Sequence, residues 1–403
     1  MTTPRTAIPA RVTLLYTNIG RGHPFYLDGI TEALIRSQAI SLVRRELDVF
    51  ELSRGAARLG WRAARWLYRR GSSGGATGVL YRLIRRGNNY NRETPALRLL
   101  GRDIRAALRE DPSPVIVAHP TLVGILRHQP HLIYQHGELV TPDEAVVRGA
   151  ATVLVPTPEA AEPFRRVGGY AAEQVVVTGL CIEPALIRLA ADAYGGRVAR
   201  YAAAGEPMVG AYFSSGAEPT AHVTRLIAAA CSAVLEGGRV ILFAQSGGRF
   251  ARRAARAFAR RSIPFATLDS SDLIPTDLPR ALIVCHASRR EENILTARLF
   301  PLFDYFVGPS HERTNWSLGL GLPMFVVGPD IGPFAPLNRR LLLQAGTAAA
   351  LETPMDAHLL GPRLARLRSR GDLTAMAQAG WGQREINGFA RIAAFLVSKY
   401  GTI

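Results

Sequence analysis

Lysine is almost absent from this chain. Lys399 is the only one, so arginine carries nearly all of the positive charge. Cysteine is scarce too: Cys181, Cys231 and Cys285 are odd in number, far apart and without metal-ligand spacing. That excludes a disulfide framework and a cysteine-built metal site, and leaves three small residues of a reduced protein. No apolar run approaches the roughly 18 uninterrupted residues of a membrane span. The first ten residues are short and polar and lead straight into a strand-like run, so no secretory leader is expected and the chain is expected in the cytoplasm. Acid is missing from one stretch in particular. From Ser53 to Arg92 there are ten arginines (Arg54, Arg58, Arg62, Arg65, Arg69, Arg70, Arg82, Arg85, Arg86 and Arg92) and no Asp or Glu, so these alone supply ten of the net +17 charges.

What is present is ample core material. Of 403 residues, 48% are hydrophobic and 20% charged, a length and composition that point to two folded domains rather than disorder. Branched and aromatic runs recur at 12–17, 115–119, 131–135, 152–156 and 175–179, then at 208–213, 239–244, 281–285, 304–308 and 324–327, with helical patterns between them. Many of the runs are continuous rather than alternating, as in strands covered by helices on both faces. Strand then helix, repeated twice over, predicts an α/β fold of two doubly wound, Rossmann-like domains. The expected limits are 1–185 for the first domain, 186–206 for a linker, 207–378 for the second domain, and 379–403 for a helix that returns to the first.

Four stretches carry chemistry. Asn18 to Pro24 places Gly20, Gly22 and His23 between the first strand and a helix, where ligands of open α/β sheets bind; it also fits an ordinary turn with a surface histidine. Ser310-His311-Glu312-Arg313-Thr314-Asn315 follows a strand and opens a helix. With Ser310 as N-cap, the helix start and Arg313 would suit a diphosphate, and simple capping would look the same. Gln135-His136-Gly137-Glu138 ends another strand, and His136 with Glu138 could form a base and its orienting partner or close a turn. In the basic segment, Arg54, Arg58, Arg62, Arg65 and Arg69 recur at helical spacing. Ala57, Trp61, Ala64 and Tyr68 form a neighbouring stripe, and Trp66 and Leu67 add to it. An anionic membrane, single-stranded nucleic acid and solvent are all possible partners for such a face.

In order along the chain, these stretches resemble the GT-B glycosyltransferases. They come nearest the group of monogalactosyldiacylglycerol synthase, the diacylglycerol glucosyltransferases and the peptidoglycan lipid-linked N-acetylglucosaminyltransferase. The matching pieces are the Gly-x-Gly-His turn at 20–23, Val115 to Pro120 ending in His-Pro, and Thr152 to Gly179. In the second domain they are Phe213-Ser214-Ser215-Gly216-Ala217, Ala244-Gln245-Ser246-Gly247-Gly248, Cys285-His286-Ala287-Ser288, and Asp304 to Pro323, with Asn338 and Gly346 beyond. The resemblance implies a metal-independent inverting hexosyltransferase with no cofactor, which moves a sugar from a UDP-linked donor to a hydrophobic, lipid-like acceptor. It places the donor in the cleft between the domains, on Ser215, Gly216, Gln245, His286, Ser310, His311, Arg313, Thr314, Asn315 and Asn338. His23 would be the base, with His136 and Glu138 in reserve. Arg58, Trp61, Arg62, Arg65 and Trp66 would meet the inner face of the membrane, and no nucleic acid is expected. One departure stands out: Trp316 occupies the position of the family's ribose-binding Glu. An epimerase of the same fold and a non-catalytic relative are the competing expectations.

Overall fold

The computed structural model describes residues 11–19, 22–71, 90–203, 205–269 and 272–401. They fall into two units, one of residues up to 71, 90–184 and 387–401, the other of 185–386.

The first unit is built on six parallel strands: β1 (Val12–Tyr16), β2 (Val43–Asp48), β3 (Val115–Val117), β4 (Leu132–Gln135), β5 (Thr152–Val155) and β6 (Val175–Val177). Their order is β2-β1-β3-β4-β5-β6. Side chains alternate between two buried faces, as the strand period demands. Leu14, Ile116, Ile133 and Leu154 enter one core; Leu15, Val117, Tyr134 and Val155 enter the other. The C-terminal helix Gly388–Tyr400 joins the first of these cores. The Phe389 ring lies where a Cβ on Gly29 would stand, 2.2 Å away, so only glycine lets the helix Gly22–Arg36 come this close.

The second unit holds seven parallel strands: β7 (Val209–Phe213), β8 (Arg239–Gln245), β9 (Phe265–Leu268), β10 (Ala281–His286), β11 (Tyr305–Gly308), β12 (Met324–Val327) and β13 (Ala348–Leu351). Their order is β13-β12-β11-β7-β8-β10-β9. The alanine-rich stretch read as a linker is the helix Pro184–Ala202, packed into this unit. Its Arg197 is fully buried, donating to the carbonyls of Phe303 and Gly321 at 2.9 Å each. An arginine so enclosed makes the helix part of the core. Among the described residues, no helix is long and apolar enough to cross a membrane.

Both sheets contain a point where the chain leaves the first strand in opposite directions. In the first unit it lies between β1 and β3, and in the second between β7 and β11. The loops leaving the carboxyl ends of strands at such points form the crevice in which α/β sheets bind ligands.

Candidate functional site

In the first unit the crevice is lined by histidine. His23 begins the helix that follows β1, and His119 follows β3 as N-cap of the helix Pro120–Leu126. Gly20 and Arg21 of the glycine turn lie outside the described residues. The His23 Nδ1 stands 2.6 Å from the Ala118 carbonyl. A carbonyl can only accept, so the proton of a neutral ring is on Nδ1 and Nε2 is the basic nitrogen. His119 has the complementary tautomer. Its Nδ1 accepts from the Thr121 amide at 3.1 Å, which leaves its proton on Nε2. The rings meet edge to face with centroids 4.3 Å apart.

His136 does not belong to this pair. It is 2% exposed, with Nδ1 3.2 Å from the Tyr134 hydroxyl and Nε2 2.8 Å from the Thr141 hydroxyl. Burial, with help from the His23 charge, pushes its pKa down to about 3. The expectation of a second base is corrected here: His136 is a hydrogen-bonded core histidine, beyond the reach of a substrate. Glu138, half-buried, ends the same turn, which Tyr26 holds through a 2.8 Å bond to the Gly137 carbonyl.

The basic helix also differs from expectation. Over Gly55–Gly71, Ala57 and Trp61 point inward. The Trp61 indole donates to the Leu100 carbonyl at 3.1 Å, and the Arg65 guanidinium lies 3.8 Å from the centre of the Phe50 ring. Trp61 therefore packs the helix onto its own unit, because burying the indole against Pro95–Leu108 removes more apolar surface than any outward placement. Outside are Arg58, Leu59, Arg62 and Trp66, with Leu59 66% and Trp66 54% exposed. Residues 72–89, the rest of the arginine-rich segment, lie outside the described residues.

In the second unit the loop after β11 is not the open helix start that was expected. The helix there is Thr314–Gly319, a single short piece. The amides of Thr314, Asn315 and Trp316 donate to the carbonyls of His311, Glu312 and Arg313. Ser310 is no cap: its hydroxyl donates to the Ala335 carbonyl at 2.8 Å, and Asn338 donates to the Ser310 carbonyl at 3.2 Å. Both side chains are 1% exposed, latching the loop onto the helix Ala335–Gln344. Nor is Arg313 an open cation. It is 8% exposed, ion-paired with Glu292, and its guanidinium carbon sits 4.2 Å above the Phe213 ring. Glu292, itself 3% exposed, also has an oxygen 3.5 Å from His286 Nε2, so one carboxylate joins His286 to Arg313. Trp316 is 1% exposed among Phe213, Phe300 and Phe306. Asn315 and Thr314 are buried in the same way.

The open helix start in this crevice is a different one. After β7, the loop 214–219 feeds the 16-residue helix Thr220–Leu235, whose N-cap is Pro219 and whose first turn has no side-chain cap. The first amides of an α-helix have no partner within it. Ser214, Ser215 and Gly216 lead into this end, and the Ser214 hydroxyl is buried without a hydrogen-bond partner. One turn in, His222 is fully buried. Its Nε2 donates to the Pro329 carbonyl at 2.8 Å and its Nδ1 has no partner. Burial pushes its pKa down to about 4, against the raising effect of that bond. The loop is tensioned: Glu218 has φ 45°, left-handed for a side chain that rarely adopts it. Its carboxylate accepts from the amides of Arg249 and Phe250 at 2.7 and 3.1 Å, capping the next helix. Gln245, exposed at the end of β8, is the register partner of His286 on β10, beside this loop.

A cavity of about 710 Å³ in the same unit opens at the opposite, amino ends of the strands, beside Met208, Gly238 and Arg368. The Arg368 guanidinium is committed there to the carbonyls of Arg200, Tyr201 and Glu206. The rule that places ligands at carboxyl ends favours the crevice over this cavity.

Solved structures share this architecture. MurG of Acinetobacter baumannii superimposes with a TM-score of 0.54 at 13% identity, over 96% of this chain and 99% of that one. S. aureus MnaA, solved with UDP, gives 0.55 at 12%, over 97% and 96%. The UDP-GlcNAc 2-epimerase of Neisseria meningitidis, bound to UDP-GlcNAc, gives 0.52 at 9%, over 97% and 99%. The fold is GT-B. No family model and no curated protein matches the chain. Within this GT-B chain, Ser214, Glu218, His222, Glu292 and His119 were given no site role from the sequence. The last had a signal, a His-Pro pair closing a strand beside the switch point. Glu292 had none, because it is the fourth residue after an ordinary N-cap, Ser288.

Proposed function

We propose that the chain uses a nucleoside-diphosphate sugar, UDP-linked, and transfers the sugar with inversion to an acceptor hydroxyl. The observation that carries this reading is the uncapped start of the Thr220–Leu235 helix behind Ser214, Ser215 and Gly216, at the switch point of a GT-B sheet. Unpartnered amides at a positive helix end suit a pyrophosphate, and they would stabilise the charge on the departing nucleoside diphosphate without a metal. The uncapped end takes this role in place of the His311 loop, where the amides of Thr314, Asn315 and Trp316 are already engaged. Gln245 and His286 lie at neighbouring strand ends, where the base would rest.

His23 of the first unit accepts the proton of the acceptor hydroxyl on Nε2, and the Ala118 carbonyl fixes the tautomer that makes this possible. A hydrophobic acceptor reaches the first unit from a membrane, where Leu59 and Trp66 insert and Arg58 and Arg62 meet anionic headgroups. Thermal stabilisation by UDP, and release of UDP from UDP-sugars only when an acceptor is supplied, tests the reading. An unchanged midpoint across all nucleoside diphosphates and their sugars removes it.

Sugar epimerisation is the second reading, favoured because a neighbour of the same fold solved with UDP-GlcNAc is a 2-epimerase by name. Appearance of an isomeric nucleotide sugar without acceptor would select it.

A further inference from the structure

The arginine excess has a second centre, outside the segment that dominates the sequence. Six arginines lie between Arg249 and Arg261, with no Asp or Glu among them. Five of them are carried by the helix Arg249–Arg260, with Arg261 just beyond its end, and the helix buries Phe250, Ala254 and Phe258 in the second unit's core. At about 100° per residue, those three define one narrow seam. Arg249, Arg252, Arg253, Arg256 and Arg260 then fall within an arc of about 100° on the far side. Arg249, Arg252, Arg256 and Arg260 are exposed and Arg253 is half-buried.

Some arginines of this unit have acids, as Arg200 with Asp304, Arg239 with Asp277, Arg339 with Asp330 and Arg313 with Glu292, and others, Arg197 and Arg368, are held by backbone carbonyls. Among the described residues, none of the five on this arc makes an ion pair. Arg249 and Arg253 donate to the hydroxyls of Thr220 and Thr224 at 2.9 and 3.1 Å, and Arg252 to the Gly247 carbonyl. Those bonds set the guanidinium planes, and the Glu218 carboxylate at the helix start is taken up by the amides of Arg249 and Phe250. Like charges packed along one helix destabilise it, so this arrangement has a cost that an external polyanion would offset.

We infer that the Arg249–Arg260 face is a docking surface for an anionic lipid bilayer. The face is one helix wide and has small residues, Ala251, Ala255 and Ala259, along its flank. It has no aromatic side chain on its outer arc, so it lacks the stacking platform that single-stranded nucleic acid uses. It also lacks the apolar anchor needed for insertion, which leaves adsorption by charge. A flat anionic leaflet asks for no shape beyond that, and each basic residue near it multiplies binding roughly fivefold. The inference stands apart from the proposed reaction and from the outer face of the Gly55–Gly71 helix in the first unit.

The test is co-sedimentation of the full-length protein with vesicles of phosphatidylcholine, with and without phosphatidylglycerol. The variant is Arg252→Gln/Arg253→Gln/Arg256→Gln/Arg260→Gln. Glutamine matches arginine in helix propensity at exposed sites, and an unchanged thermal midpoint confirms the fold. Binding to the anionic vesicles is expected to fall at least about a hundredfold, and added salt should release the unmodified protein. A companion, Arg58→Gln/Arg62→Gln, isolates the first unit's contribution. The inference is overturned if the quadruple variant binds as well as the parent. It is equally overturned if binding ignores phosphatidylglycerol, or if an oligonucleotide displaces the protein from vesicles at lower phosphate concentration than lipid requires.

Discussion

His23 and His119 share one corner of the first sheet with opposite tautomers, the first protonated on Nδ1 toward Ala118, the second on Nε2 because its Nδ1 caps a helix. Rings this close cannot both carry a proton cheaply, so the pair keeps one basic nitrogen and one N–H donor side by side. His23→Ala is expected to lower sugar transfer by roughly 10² to 10⁴ with UDP affinity unchanged. His119→Asn retains an N-cap oxygen for Thr121 while deleting the second ring, and should lower the transfer rate without loss of fold. Full activity in His23→Ala would remove that residue from the chemistry.

Ser215→Asp tests the uncapped helix. A carboxylate in the loop that leads into this helix start would repel a pyrophosphate there. The variant should fold as the parent does and bind UDP at least about tenfold more weakly, a difference of about 1.4 kcal/mol. Calorimetric titration reads both partners directly, and equal affinity would place the phosphates elsewhere.

Glu292→Gln addresses the buried carboxylate shared by His286 and Arg313. Leaving a guanidinium that is only 8% exposed with the Glu312 carboxylate, 3.9 Å away, in place of its closer partner is expected to cost about 3 kcal/mol. The thermal midpoint should drop by several degrees, and Arg313→Met in the same background should recover part of the loss. A midpoint within error of the parent would mean that solvent reaches the pair.

Acid should destabilise both units. His136 and His222 are held neutral, at about 3 and about 4, against an ordinary 6.5. Below that ordinary value the unfolded chain binds more protons than the folded one. Stability is therefore complete above it and is lost as pH falls toward the folded values, by at most about 1.4 kcal/mol per group per pH unit. Thermal unfolding from about pH 6 to about pH 4 should show the decline, shallower in His222→Gln. A level midpoint across the range would contradict the assignment.

The strands legible in the sequence are the inner ones together with β6. Three were missed, β2, β9 and β13, and each lies at the edge of its sheet. An edge strand needs only one covered flank, so Val43-Arg44-Arg45-Glu46-Leu47-Asp48 can be half polar and Ala348–Leu351 can be nearly all alanine without losing their ladders. Site residues followed the same logic. His23 was visible because strand, glycine and helix are local in sequence. Ser310, Arg313 and Asn338 were misread because what occupies them, Ala335, Glu292 and Ser310 itself, comes from 21 to 28 residues away and depends on tertiary packing. Trp61 failed for a related reason: periodicity marks an apolar stripe but does not say whether protein or lipid covers it.

Glu218 makes one mechanical piece of two surfaces. The residue that shapes the serine loop is also the cap of the arginine helix, and Gly248 allows it: a Cβ there would stand 2.7 Å from the Glu218 carboxylate. A shift of the loop on taking up a ligand would loosen or tighten the first turn beneath Arg249 and Arg252. By reciprocity, contact at the arginines would change affinity in the loop by the same factor. Attachment to a charged sheet of lipid and occupancy by substrate would then be two readings of one equilibrium, and either could be used to adjust the other.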